Sequence, residues 1–165
     1  MISLELITPR NAMDFKDIRL RALQDSPTAF SSTYAEESKL TDADWVKRAA
    51  QWSGAKSVGY LAINGSTAVG IAAGILDQNE PLRAELVSMW VAPTQRRLGI
   101  GRMLVDAVLT WARGRNVLNL CLMVTSNNDH ARQFYQSVGF TRIGHMTPYR
   151  NHPALLDYEM SRSIS

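Results

Sequence analysis

Residues 84–115 place an apolar run, a cationic loop with two glycines and an amphipathic run in direct succession. The apolar run AELVSMWV is typical of a buried strand, and QRRLGIG follows it after a short APT segment. In the second run Ile100, Leu104, Val108 and Trp111 recur at intervals of three and four residues, which predicts a helix with one buried face. This order restricts the chain to folds in which helices pack on a sheet.

Apolar periodicity along the whole chain predicts six strands and four helices in the order β-α-α-β-β-β-α-β-α-β. A hairpin is predicted at Asn64-Gly65. Asn127 or Asn128 is expected to cap the last helix, and Gly139 to end it. We expect a single domain over residues 1–165, with a mixed α/β sheet flanked by helices.

Composition and the lengths of the apolar runs predict the cellular compartment of the protein. The apolar runs are far shorter than the ~20 residues that span a bilayer. The N-terminus has no basic-then-apolar leader, and Cys121 is the one cysteine, so no internal disulfide can form. These features predict a cytoplasmic protein without membrane contact, in which Cys121 is a small buried strand residue.

Positive charge is concentrated in the second half of the chain. Residues 81–165 carry ten arginines, no lysine and five carboxylates, whereas residues 1–80 carry eight basic and ten acidic residues. Arginine is suited to bidentate contact with phosphate, so this half fits an anionic ligand. From charge alone a solvated basic surface is the simpler interpretation.

The glycine loop has the chemistry of a diphosphate site. Gly99 and Gly101 lack side chains, so a ligand can approach the backbone, and the first amides of a helix lack intrahelical acceptors. Arg96, Arg97 and Arg102 are expected to add mobile positive charge. The sequence GIGRML lacks the Gly-Lys-Ser/Thr ending of a P-loop and the third glycine of a dinucleotide fingerprint.

A second motif follows in VTSNNDHARQFYQSVGF, where Asn128, Ala131, Tyr135 and Gly139-Phe140 stand at fixed spacing. Together with the loop pattern Arg-x-x-Gly-x-Gly, this segment resembles the GCN5-related N-acetyltransferase (GNAT) family. The resemblance is strong over residues 84–140 and extends more weakly, through element order, to the whole chain. It implies a mostly antiparallel twisted sheet of six to seven strands, about four helices, and splayed central strands.

The resemblance also implies acetyl-CoA as co-substrate. The loop amides would hold its pyrophosphate, and the main chain of the preceding strand would pair with its pantetheine arm, which Asn128 would also contact. The positions that it implies for acetyl-CoA binding are Trp90, Val91, Arg96, Arg97, Leu98, Gly99, Ile100, Gly101, Arg102, Asn128 and Tyr135.

For catalysis the resemblance implies Tyr135 as the general acid that protonates the departing thiolate. Glu85 occupies the position of the glutamate base of histone-acetylating members. Some members that acetylate protein N-termini carry a glutamate where this chain has Met123, which puts that mechanism in doubt here. Glu36 and Glu37, in a loop expected to line the acceptor site, and a water chain are further candidates for the base.

The function implied is acetyl transfer to a primary amine of a small molecule or peptide. Two alternatives are a non-catalytic acyl-CoA sensor and, less favoured because its arginines are dispersed, a nucleic-acid-binding domain. His130, His145 and His152 lack metal-ligand spacing, so we expect no metal. The acidic loop at residues 36–44 mildly favours a cationic acceptor, and a homodimer stays open.

Overall fold

The computed structural model describes residues 1–30, 32–148 and 154–164. Its seven strands form one sheet in the order β1-β2-β3-β4-β5-β7-β6. The strands are β1 (Ile2–Leu6), β2 (Ser57–Asn64), β3 (Thr67–Leu76), β4 (Arg83–Val91), β5 (Asn119–Thr125), β6 (Thr141–Pro148) and β7 (Leu156–Ser163). The helices are α1 (Ala12–Asp25), α2 (Tyr34–Glu37), α3 (Asp42–Trp52), α4 (Ile100–Gly114) and α5 (Asp129–Ser137).

The sheet is antiparallel except where β4 meets β5. These two strands run parallel and pair at three positions, residues 83–85 with 119–121, after which they separate. The other strand pairs keep longer registers, such as the seven residues that β5 shares with β7. The predicted mixed, mostly antiparallel sheet with splayed central strands is therefore confirmed.

Helices cover both faces of the sheet. Helices α1 and α3 pack with β2 and β3 in one cluster of buried side chains, and α4 packs on the opposite face in the other. Gly70 and Gly74 of β3 allow α4 to lie close. A Cβ at Gly70 would stand 3.0 Å from Leu104 Cδ1, and one at Gly74 would stand 2.9 Å from Trp111 and Val108. Along the described residues, none of the helices combines the length and apolarity that a bilayer span needs.

The predicted helix cap, helix end and hairpin turn agree with the structure. Asn128 caps α5 by accepting the Ala131 amide at 3.2 Å. Gly139 follows α5 with φ 97°, and Gly65 turns the β2–β3 hairpin with φ 68°. Both glycines adopt the left-handed conformation that other residues avoid.

Two elements were not predicted. Strand β6 has a polar sequence, TRIGHMTP, because it is paired with β7 at the edge of the sheet and its residues are mostly exposed. Helix α2 is a single turn capped by Thr33, too short to show a helical period. Residues 149–153, which include His152, lie outside the described residues.

Candidate functional site

A cavity of about 200 Å³ opens where β4 and β5 separate. Its walls come from α1 and the loop after it on one side, from α5 on the other, and from β4, β5 and β7 between them. The lining residues are Arg19, Ala29, Phe30, Glu85, Leu86, Val87, Ser88, Met89, Leu122, Met123, Thr125, Tyr135 and Asp157. The split in the sheet thus joins the two predicted catalytic residues in one space.

Strand β4 bulges at the cavity wall. Its register with β3 shifts between Ile71, which pairs with Trp90, and Ala73, which pairs with Val87. Within the bulge Ser88 has φ 57°, an uncommon conformation for a residue with a side chain. Arg19 of α1 donates to Ser88 Oγ at 3.1 Å. A bulge bends a strand and increases its twist, which helps β4 turn away from β5.

Glu37 holds the Arg19 side chain in place at this wall of the cavity. Arg19 donates to both of its carboxylate oxygens at 3.0 Å, and Arg48 lies 3.1 Å from Oε1. Burial raises the pKa of Glu37, but hydrogen bonds and charge from Arg19, with smaller effects of Ser32 and Arg48, outweigh burial and lower that pKa below its ordinary value. A carboxylate held in this way is a weak base, which argues against Glu37 among the candidates for the general base. Glu36 is exposed and does not line the cavity.

Tyr135 projects from α5 into the same cavity. Its ring packs against Phe134 and Phe140, with centroids 5.3 and 5.8 Å apart, and it is 8% exposed. Burial raises the pKa of Tyr135 above its ordinary value, so the phenol is fully protonated at neutral pH. It is therefore available to donate a proton.

Glu85 is the last residue of β4 that pairs with β5, where it lies opposite Cys121. Its side chain is half-buried at the apex of the split. Burial raises the pKa of Glu85; Arg83 opposes this shift, and the charges of Glu159 and Asp77 add to it. A carboxylate with a raised pKa is a better proton acceptor near neutral pH.

The glycine loop leads into α4 through two left-handed residues, Arg97 with φ 66° and Gly99 with φ 81°. A Cβ on Gly99 would meet nothing within 4 Å, so Gly99 is needed for its conformation. The first helical bond runs from the Met103 amide to the Gly99 carbonyl at 3.1 Å. The amides of residues 100–102 thus have no acceptor within the helix, at the positive end of its dipole.

The other glycine of the loop, Gly101, also has a role in packing. A Cβ on Gly101 would stand 2.9 Å from Phe134 Cζ and 3.4 Å from Met89 Cε. Gly101 therefore allows α4 to pack closely on α5, and Ile100 beside it is buried in the core. Ligand approach alone does not explain this glycine.

Arg96 is not a mobile cation of the loop. Its Nε donates to the Val91 carbonyl at 2.9 Å, and Nη2 lies 3.2 Å from Asp25 Oδ2. Asp25 also accepts from Nε1 of the buried Trp90 at 3.0 Å. These contacts fix the end of β4 to α1, and the Val91 carbonyl is already bonded.

The remaining predicted loop residues, Arg97, Leu98 and Arg102, are exposed. Arg97 and Arg102 form no ion pair with any described residue. Four polar residues of the cavity were not predicted from the sequence: Arg19, Ser88, Thr125 and Asp157. Their patterns are those of ordinary helix and strand residues, so their shared location depends on the fold. His130 is exposed, as expected, and among the described residues no group of three or more metal-ligating side chains is found.

Comparison with solved structures agrees with the observed fold and its split sheet. The chain resembles, over 100% of both chains, the crystal structure of a GNAT-family acetyltransferase from Streptococcus pneumoniae (TM-score 0.82, 19% identity). It also resembles the PaiA N-acetyltransferase from Thermoplasma acidophilum, solved in complex with coenzyme A (TM-score 0.77, 17% identity, 99% of both chains). At these identities the likeness concerns the fold alone.

Sequence comparison identifies the family. The profile described as the Acetyltransferase (GNAT) family matches residues 20–140, so the chain belongs to that family of acyltransferases. A curated relative, the N-alpha-acetyltransferase RimI of Mycobacterium tuberculosis (strain ATCC 25618 / H37Rv), is 38% identical over 101 residues. That match spans 60% of this chain and 61% of the relative.

Proposed function

We propose that this protein transfers the acetyl group of acetyl-CoA directly to a primary amine. The observation that carries the proposal is the common cavity of Tyr135 and Glu85 at the split between β4 and β5. A protonated phenol and a carboxylate of raised pKa provide an acid and a base within one site, which acyl transfer to an amine requires.

Acetyl-CoA, the acetyl donor, would bind with its pyrophosphate at the glycine loop. Its pyrophosphate would accept hydrogen bonds from the unpaired amides of residues 100–102, with Arg97 and Arg102 adding positive charge. Asn128 uses Oδ1 to cap α5, and its amide nitrogen is a separate donor that would contact the pantetheine arm. The thioester would then lie in the cavity beside Tyr135.

The chemistry needs two proton transfers. The acceptor nitrogen attacks the thioester carbonyl carbon, a C–N bond forms, and the C–S bond breaks. Glu85 takes the proton that the nitrogen loses, and Tyr135 gives its proton to the departing thiolate; solvent then restores both groups. Burial raises the pKa of a thiol as it does that of a phenol, so their ordinary values of about 8.5 and about 10 stay comparable in one cavity.

The α-amine of a peptide is a second candidate acceptor. The relative with 38% identity is named as an N-alpha-acetyltransferase, which favours this class. Met123, where N-terminal acetyltransferases carry a glutamate, argues against the same mechanism, although Met123 does line the cavity. Purified protein incubated with acetyl-CoA and panels of small amines and peptides distinguishes the two classes through release of free CoA. No release above the hydrolysis rate with any acceptor would contradict the proposed function.

Replacing Glu85 with glutamine is expected to lower kcat/KM roughly 10²-fold at neutral pH, because the amine loses its proton acceptor. In the wild type, kcat/KM should rise with pH as Glu85 deprotonates, above the ordinary glutamate value of 4.5 because its pKa is raised. The difference in kcat/KM between the wild type and Glu85→Gln should shrink as the pH approaches the amine's own pKa of about 10, because the acceptor is then already neutral. The pH–rate profiles of both proteins measure this; superimposable profiles would assign the base elsewhere.

Replacing Arg102 with glutamine is expected to weaken acetyl-CoA binding about tenfold, because one charge-assisted contact with a phosphate is lost. The loss should diminish at high salt. Calorimetric titration with acetyl-CoA measures it. Arg113→Gln, which removes the same charge from an exposed position near the other end of α4, is the matched control. Equal effects of the two changes would indicate general electrostatics instead of a phosphate contact.

A further inference from the structure

Thr125 is a buried polar residue at the wall of the cavity. It is the last residue of β5, 4% exposed, and lines the cavity. Its hydroxyl oxygen has no hydrogen-bond partner among the described residues. Buried polar groups nearly always have a hydrogen-bond partner, so an unsatisfied hydroxyl on a residue that lines a cavity indicates a group available to a ligand.

Asp157 stands directly opposite Thr125. The two residues pair across β5 and β7, and both line the cavity. The side chain of Asp157 is half-buried, and burial raises its pKa. The carboxylate and the hydroxyl thus form one polar corner at the open end of the split.

Nearby arginines already have carboxylate partners. Arg19, which lines the same cavity, is bound to Glu37 at 3.0 Å. Arg83 is bound to Asp77 at 3.3 Å and to Glu159 at 2.5 Å. Within the described part of the chain Asp157 has no comparable ion pair, so its charge is free to attract a cation from the acceptor.

This corner is separate from the proposed base. Glu85 is opposite Cys121, and Thr125 lies four residues further along β5, about 13 Å at the rise of a strand. One amine nitrogen would meet Glu85 at the apex, while another part of the same acceptor would reach Thr125 and Asp157.

We infer that Thr125 and Asp157 form a cation subsite, which selects acceptors that carry a second ammonium group some bonds away from the reacting amine. The ammonium donates to the Asp157 carboxylate and to Thr125 Oγ1, satisfying both. This inference rests on the proposed function for its meaning in catalysis, but the subsite can be tested by binding alone.

The test compares 1,10-diaminodecane, which is long enough in its extended form to reach from Glu85 to the subsite, with 10-amino-1-decanol, which has the same length but carries one ammonium instead of two. Titrations are made at neutral pH with saturating coenzyme A. The wild type is expected to bind the diamine at least tenfold more tightly, and Asp157→Asn should reduce that ratio to near one. Asp106→Asn removes one carboxylate from the exposed side of α4, outside the cavity, and should keep the wild-type ratio. A wild type without preference, or Asp157→Asn with the full preference, would overturn the inference.

Thr125→Val supplies a second, independent readout. Valine has nearly the same shape without the hydroxyl, so the unliganded protein should be at least as stable as the wild type. Diamine affinity should nevertheless fall several-fold. A purely structural threonine would give the reverse, with lower stability and unchanged affinity.

Failure of the subsite and failure of the proposed function are distinguishable. CoA release with amines that bind without diamine preference would retain the transferase and reject the subsite. Diamine preference without CoA release from acetyl-CoA would retain the subsite and reject the transferase.

Discussion

Tyr135→Phe is expected to lower kcat by roughly 10²–10⁴-fold, the range for loss of a positioned general acid. The ring is retained, so the contacts with Phe134 and Phe140 should survive. Affinity for acetyl-CoA should change little, because the proton is needed only as the C–S bond breaks. Single-turnover kinetics with a good acceptor, together with calorimetry for acetyl-CoA, measure the two effects separately.

The leaving group provides the control for that result. A thioester whose thiol is more acidic needs less protonation, so it should recover part of the rate lost in Tyr135→Phe. Tyr158→Phe, in which a buried tyrosine of β7 outside the cavity loses its hydroxyl, is the matched variant and should keep the wild-type rate. A wild-type single-turnover rate in Tyr135→Phe would remove Tyr135 from the chemistry.

Glu37→Gln is expected to lower the free energy of unfolding by about 3 kcal/mol at neutral pH. The substitution removes the carboxylate charge that pairs with both Arg19 and Arg48. The Arg19 side chain is only 11% exposed, so its charge would stay buried without a partner, which costs several kcal/mol. Urea denaturation measures it. The control is Asp42→Asn, which breaks the exposed Lys16–Asp42 pair and should cost about 0–1 kcal/mol.

The effect of Glu37 should depend on pH in a defined direction. The folded-state pKa of Glu37 lies below its ordinary value of 4.5, so its contribution is present above 4.5 and is lost as the pH falls through the folded-state pKa. The difference between the wild type and Glu37→Gln should therefore shrink in acid. A constant difference across that range would mean that packing, not charge, causes the loss.

Short-range signals could be predicted from the sequence. The strand, glycine loop and helix around Gly99, the Asn128 cap and the turn at Gly65 depend on the conformations of a few consecutive residues. The resemblance of residues 84–140 to the GNAT family added Tyr135 and Glu85 as a pair. The structure places both beside one cavity, and their roles remain a proposal.

Assignments that depend on what a side chain meets across the fold were less predictable. Arg96 seemed to be a mobile cation of the loop, yet it is bound to Asp25, 71 residues earlier. The loop sequence predicts that Gly101 admits a ligand, and it does not reveal that Phe134 also leaves no room there for a side chain. In both cases the residue contacts a segment that is distant along the chain, and a single sequence does not reveal such a contact.

The sequence by itself determined most of the element types, the turns at Gly65 and Gly139 and the family, because each depends on residues close together along the chain. Only the tertiary structure decided which carboxylates are free. Glu37 is neutralised by two arginines, Glu159 is paired with Arg83, and Asp157 keeps an unpaired charge within the described chain. Charge pairing and burial are set by distances in space, and the separation of β4 from β5 brings Tyr135, Glu85 and Asp157 to the walls of one cavity.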